Sequence, residues 1–263
     1  MTMQTLSESV TGGIRERQIV VGEATGALWT ADDAIGAAPL LLIGHAERQN
    51  RTKPDVIALG HAYARAGYTV VAIDAPCHGG RHRTSRHWEL IDDMAVRAAV
   101  GDMGTAADLF HAEIAPQGVA EWHATLDALQ QLDEVDAAGP VGFLGVALGS
   151  LIGIPFLAAD DRVTAAVLGL LRRDSVDESA TRVRIPVEFR LQWDDELVPR
   201  DAALTLYDDL GSDEKALHAN AGGHLDVPAH ETESALRFFA RHLGANPSPR
   251  FERLGVESLG SLQ

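Results

Sequence analysis

Short, wholly apolar runs alternate along most of the chain with longer stretches of helical spacing. Pro39–Ile43, Tyr68–Ile73, Val141–Gly145 and Val163–Leu171 are short apolar runs of the kind buried on both faces of a sheet. Pro186–Gln192 alternates and is read as a further strand, and Glu214–His218 as a last short one. Between them, Asp55–Gly67 has apolar residues at helical spacing and ends at a glycine. Ala120–Leu132, Arg200–Leu210 and Ala229–Leu243 have the same spacing. Ahead of all these, Arg15–Val21 and Gly26–Thr30 alternate loosely and predict one or two antiparallel edge strands. Strands alternating with helices predict an α/β fold: a mostly parallel central sheet with helices on both faces. Residues 81–136 are helical with breaks near Gly101, Gly104 and Pro116-Gln-Gly118, and predict a helical insertion or small cap. The whole chain, 1–263, is read as one domain whose Pro-, Gly- and Ser-rich tail, 244–263, frays.

Pro140–Ala159 is uncharged and long enough to nominate a membrane span. Pro140, Pro155 and Gly142, Gly145, Gly149 and Gly153 interrupt it, so it parses as a buried strand followed by a buried helix. The 263 residues suit one large α/β core, and 46% hydrophobic content allows that core to be buried. A net charge of −16 argues against nucleic acid and anionic membranes as partners. One cysteine, Cys77, excludes an internal disulfide. The first residues lack a basic start and an apolar run, which predicts a cytoplasmic protein.

Between the uncharged strand and helix lies Gly145-Val-Ala-Leu-Gly149. This is the G-x-S-x-G nucleophile elbow with alanine in place of serine. The turn is so sharp that side chains two residues before and after its tip would strike neighbouring backbone. Four other stretches accompany it: Leu42-Ile-Gly-His-Ala, Val71-Ala-Ile-Asp-Ala-Pro-Cys-His-Gly, Gln192-Trp-Asp-Asp-Glu-Leu-Val-Pro and Gly222-Gly-His. Together they run from Pro39 to Leu243, and in this order the chain resembles the α/β-hydrolase superfamily on its dienelactone-hydrolase and prolyl-oligopeptidase-like side.

The resemblance implies serine-hydrolase chemistry on a carboxylic ester or lactone, with no cofactor and no metal. It puts Ala147 at the nucleophile position, Asp195 as the acid and His224 as the base. Asp194 and Glu196 compete with Asp195. The oxyanion donors are expected to be the N–H of Leu148 and one from the Gly44–Arg48 loop. That second donor is Glu47 if His45-Ala46 replaces the family's His-Gly pair, and Ala46 after a one-residue slip. His45, His78, Arg81 and Trp88 are candidates for substrate binding, because Arg81–His87 is the one basic cluster and follows a strand's C-terminal end. Trp88, Met94, Leu109, Phe110 and Trp122 either line a pocket under the cap or are core. Ser150 should face away from the tip, and Cys77 has no context marking it as a thiolate.

Alanine has no nucleophile, so the chain as written should form no acyl-enzyme. Either a working hydrolase has had its serine replaced, or the chain is a natural non-hydrolytic member. Such a member would be a binding protein, or a lyase or isomerase using His224–Asp195 as general base.

Overall fold

The computed structural model describes residues 2–99, 103–172, 174, 176 and 178–244. The part of the expected frayed tail from 245 to 263, and the expected break at Gly101, lie outside these residues. Among the described residues, nine strands form one sheet in the order β1-β2-β3-β5-β4-β6-β7-β8-β9. The first three, β1 (Met3–Thr11), β2 (Ile14–Val21) and β3 (Ala24–Ala31), are antiparallel. β4 (Leu40–Gly44), β5 (Thr69–Ile73), β6 (Val141–Gly145), β7 (Val163–Gly169), β8 (Val187–Gln192) and β9 (Lys215–Asn220) are parallel to one another. β1 was not foreseen. Its side chains are almost all exposed, so it has no apolar face to announce it.

Alternate residues of the central strands serve two cores, as the two-residue period of a strand requires. Leu41 and Ile43 of β4 join Tyr63 of α1 (Pro54–Arg65) and Phe239 of α7 (His230–Leu243) on one face. Leu40 and Leu42 join Trp122, Leu151 and Phe156 on the other, where α3 (Met103–Leu129) and α4 (Leu148–Leu157) lie.

The helical segment is α2 (Ser85–Ala98) followed by α3. The break expected at Pro116-Gln-Gly118 is corrected: α3 runs through both, as it does through Gly104. Gly118 serves close packing, since a Cβ there would stand 2.9 Å from the Ile152 side chain. Phe110 and Trp122 are buried in the core, whereas Trp88 and Leu109 are half-exposed. α5 (Ser179–Arg182) and α6 (Arg200–Asp209) complete the helices. Among the described residues no helix is long and apolar enough to cross a membrane.

β4 has β5 on one side and β6 on the other, so the connections leaving β4 and β6 diverge. That is a topological switch point, where open α/β sheets form a crevice beyond their C-terminal strand ends. Gly44 and Gly145 are partners in register at that edge.

Candidate active site

The elbow fills the turn between β6 and α4. Ala147 sits at its tip with φ 50° and ψ −115°, a left-handed setting unusual for a residue with a Cβ. The flanking glycines are steric necessities: a Cβ on Gly145 would come within 2.7 Å of Gly149 backbone, and one on Gly149 within 2.1 Å of the Gly44 carbonyl. The strained tip is held by its neighbours. The Ala147 N–H donates to the Gly169 carbonyl at 3.0 Å, and Leu151 N–H donates to the Ala147 carbonyl at 2.9 Å. Ser150 is fully buried. Its hydroxyl lies 2.7 Å from the Gly145 carbonyl and 2.9 Å from that of Gly169, and accepts the Gly169 N–H at 2.9 Å. Ser150 therefore pins the elbow to β7 and is no substitute nucleophile. Cys77 is buried too, and burial pushes its thiol above the ordinary range.

The candidate acid, Asp195, and the candidate base, His224, lie on loops after β8 and β9. His224 is 7% exposed, and its Nδ1 lies 2.8 Å from Asp195 Oδ2. The other carboxylate oxygen of Asp195 accepts the N–H groups of Leu197 and Val198, both at 2.8 Å. A carboxylate facing Nδ1 assigns that nitrogen the proton and leaves Nε2 with its lone pair. Nε2 makes no hydrogen bond among the described residues. The three neighbouring acids divide the work. Asp195 holds the imidazole, Glu196 accepts the His224 backbone N–H at 3.0 Å, and Asp194 accepts that of Gly222 at 3.4 Å. Val227, from the His224 loop, lies beside Ala147, Ala46 and Leu170.

The loop after β4 supplies candidate oxyanion donors. The N–H of Ala46 is taken by Gln49 Oε1 at 3.3 Å. Those of Glu47 and Leu148 make no hydrogen bond among the described residues, and Leu148 opens a helix whose dipole favours negative charge.

The other expected binding residues are employed in the fold. His45 is buried, donates from Nδ1 to the Ala46 carbonyl at 2.8 Å and accepts the Ala75 N–H on Nε2 at 2.9 Å. Burial holds it down to about 4, against a smaller opposing effect of the Ala46 carbonyl. Arg81 is corrected as a substrate ligand. Its guanidinium is nearly buried and spent on Glu121 at 2.6 Å and the Asp74 carbonyl at 2.8 Å. Two more residues of the basic cluster, Arg83 and His87, are occupied locally as well. Arg83 bonds the Cys77 carbonyl and lies over the half-exposed Trp88 ring, and His87 caps α2 with Thr84. His78 is 6% exposed and bound to Glu47 at 2.8 Å.

Sequence spacing offered no metal set, yet the fold gathers Glu188, His218 and Glu231 with ligand atoms within 4.8 Å. The set does not suit a metal. Arg190 already lies 3.0 Å from Glu188 and 3.2 Å from Glu231, supplying the positive charge. A cavity of about 320 Å³ lies at the other end of the parallel strands, against Tyr68, Thr69 and Glu134, away from the elbow.

No family model matches the chain, and no curated protein matches its sequence. Solved structures do match. A cold-adapted esterase from an Arctic intertidal metagenomic library superposes with a TM-score of 0.73 at 26% identity, covering 92% of this chain and 100% of that one. Acetyl xylan esterase 1 from Thermoanaerobacterium sp. JW/SL YS485 gives 0.65 at 17% identity, with 91% and 87% covered. A predicted CIB-like hydrolase from Thermoplasma acidophilum gives 0.55 at 15% identity, with 92% and 97% covered. The chain has the α/β-hydrolase fold.

Proposed function

We propose that this crevice is an acyl-transfer site for a carboxylic ester or lactone, complete except for its nucleophile. The observation that carries the reading is the pairing of two independent features. One is the strained tip at Ala147, and the other is the buried Asp195–His224 pair, whose Nε2 has no partner among the described residues. A tip held at φ 50° is costly for alanine, about 1–3 kcal/mol. The esterase neighbours support the same reaction class.

In the serine form, His224 Nε2 would take the hydroxyl proton as Oγ attacks the carbonyl carbon. The Leu148 and Glu47 N–H groups would face the resulting oxyanion, and Asp195 would stabilise the imidazolium. His224 would return the proton to the leaving alcohol. Water, deprotonated by the same nitrogen, would then release the acid. With a methyl group at 147, the covalent step has no attacking atom, so the chain as it stands should not turn over by this route.

The test is Ala147→Ser against a panel of activated short-chain esters and lactones. Hydrolysis by the serine protein, absent in the alanine protein, supports the reading. A correctly folded serine protein that cleaves nothing in the panel contradicts it. In a comparable triad, loss of the nucleophile costs on the order of a million-fold in kcat, so the contrast is large.

A further inference from the structure

Two histidines lie side by side behind the β4 loop, with ring centres 5.3 Å apart, and their surroundings impose different charge states. His45 faces one acceptor and one donor, which fixes it neutral. His78 faces two acceptors. Its Nδ1 is 2.9 Å from the Pro76 carbonyl and its Nε2 is 2.8 Å from Glu47 Oε1. A carbonyl and an ionised carboxylate only accept, so both ring nitrogens must donate, and an imidazole with both protons is a cation.

Glu47 is ionised in this setting. Burial pushes its carboxyl up, but hydrogen bonds from His111 and His78 outweigh burial and hold it at about 2. His111 comes from α3 and bonds Glu47 Oε2 through its own Nε2 at 3.1 Å. The Glu47 carboxylate is thus gripped from two elements, while its backbone N–H has no partner among the described residues.

We propose that Glu47, His78 and His111 form a clamp that positions the Glu47 N–H as an oxyanion donor by tying the β4 loop to α3, and that the clamp holds only while His78 carries both protons. The positioning role rests on the acyl-transfer reading, because only that chemistry uses the donor. The groups facing His78 are Glu47, the neutral His45 ring and Arg83; Asp74 lies on the His45 side. Burial and Arg83 oppose the charge on His78, whereas Glu47 and the Pro76 carbonyl favour it and prevail, raising the group above its ordinary value. As pH rises through that raised value, the ring loses one donor. Either Pro76 or Glu47 then loses its bond, and the loop is released.

Two readouts decide the matter. The first follows the ring nitrogens of His78 by NMR in the chain as it stands. Both should be protonated at pH 6, with deprotonation raised above the ordinary 6.5, and Glu47→Gln should shift it downward. A singly protonated ring at pH 6, or a titration unmoved by Glu47→Gln, overturns the clamp. The second uses the Ala147→Ser protein. Its kcat should fall on the alkaline side in step with the His78 titration while KM stays put. Adding Glu47→Gln should lower kcat about tenfold and abolish that limb, a partial loss of one donor's usual contribution. A kcat that stays flat through the His78 titration, with Glu47→Gln neutral, overturns the positioning role. A serine protein with no turnover sinks the acyl-transfer reading and the positioning role with it. A His78 ring that titrates low sinks the clamp alone.

Discussion

The two loops that meet between β4 and β6 are held in place by different forces. The elbow is fixed sterically: Gly145 and Gly149 let backbone pass where no Cβ fits, and Ser150 fastens it to β7. The β4 loop is fixed electrostatically, with Glu47 gripped by His78 and His111, and His45 wedged neutral behind it. Steric fixing ignores pH, whereas a loop held by histidines does not. If both loops serve one reaction, pH should act on the β4 loop and leave the elbow unmoved.

The largest expected effect breaks the shared chemistry outright. In the Ala147→Ser protein, His224→Ala should reduce kcat by at least about 10⁴-fold, and Asp195→Asn by a similar factor through loss of the correct tautomer. Steady-state kinetics with an activated ester checks both. Smaller losses would mean another base is acting.

Next comes the acid side of the β4 loop. His45 is held neutral to about 4, whereas in the unfolded chain it protonates near 6.5. A folded value below the unfolded one means that the unfolded state binds the proton first as pH falls. Stability should therefore drop between pH 6.5 and 4, by up to about 3 kcal/mol from this group. Denaturant titrations of the parent and of His45→Gln across that window measure it, and the substitution should flatten the slope.

The elbow provides the contrast. Ser150→Ala leaves the Gly169 N–H without its Ser150 partner and should cost about 2 kcal/mol. The loss should be the same at pH 5 and pH 8. A pH-dependent loss would show that the elbow is not sterically fixed. The smallest effect has the opposite sign. Ala147→Gly removes the Cβ from a strained left-handed position and should stabilise by about 1 kcal/mol, strain relief exceeding the added chain entropy of glycine. Thermal unfolding distinguishes this from the loss that Gly for Ala normally brings.

Much of this was legible in the chain because sterics and burial leave local marks. The apolar runs announced the parallel strands, and the elbow glycines announced the turn. Asp195 could be placed after β8, but its two neighbours could be separated only by seeing which carboxylate meets the imidazole. β1 escaped because an exposed strand has no apolar stripe. Gly118 and Pro116 misled because a glycine that admits a neighbouring side chain reads in sequence like a helix break. The clamp was invisible for another reason: Glu47 and His111 stand 64 positions apart, and nothing local links them. Arg81 looked available because its partner, Glu121, is 40 positions away.

The most direct measurement of the central claim is the intact mass of the Ala147→Ser protein after exposure to a fluorophosphonate, with the adduct mapped by peptide sequencing. The account predicts one adduct, on residue 147, lost when His224 is also replaced and absent from the alanine protein. A folded serine protein that takes up no label, or that labels elsewhere independently of His224, would contradict it.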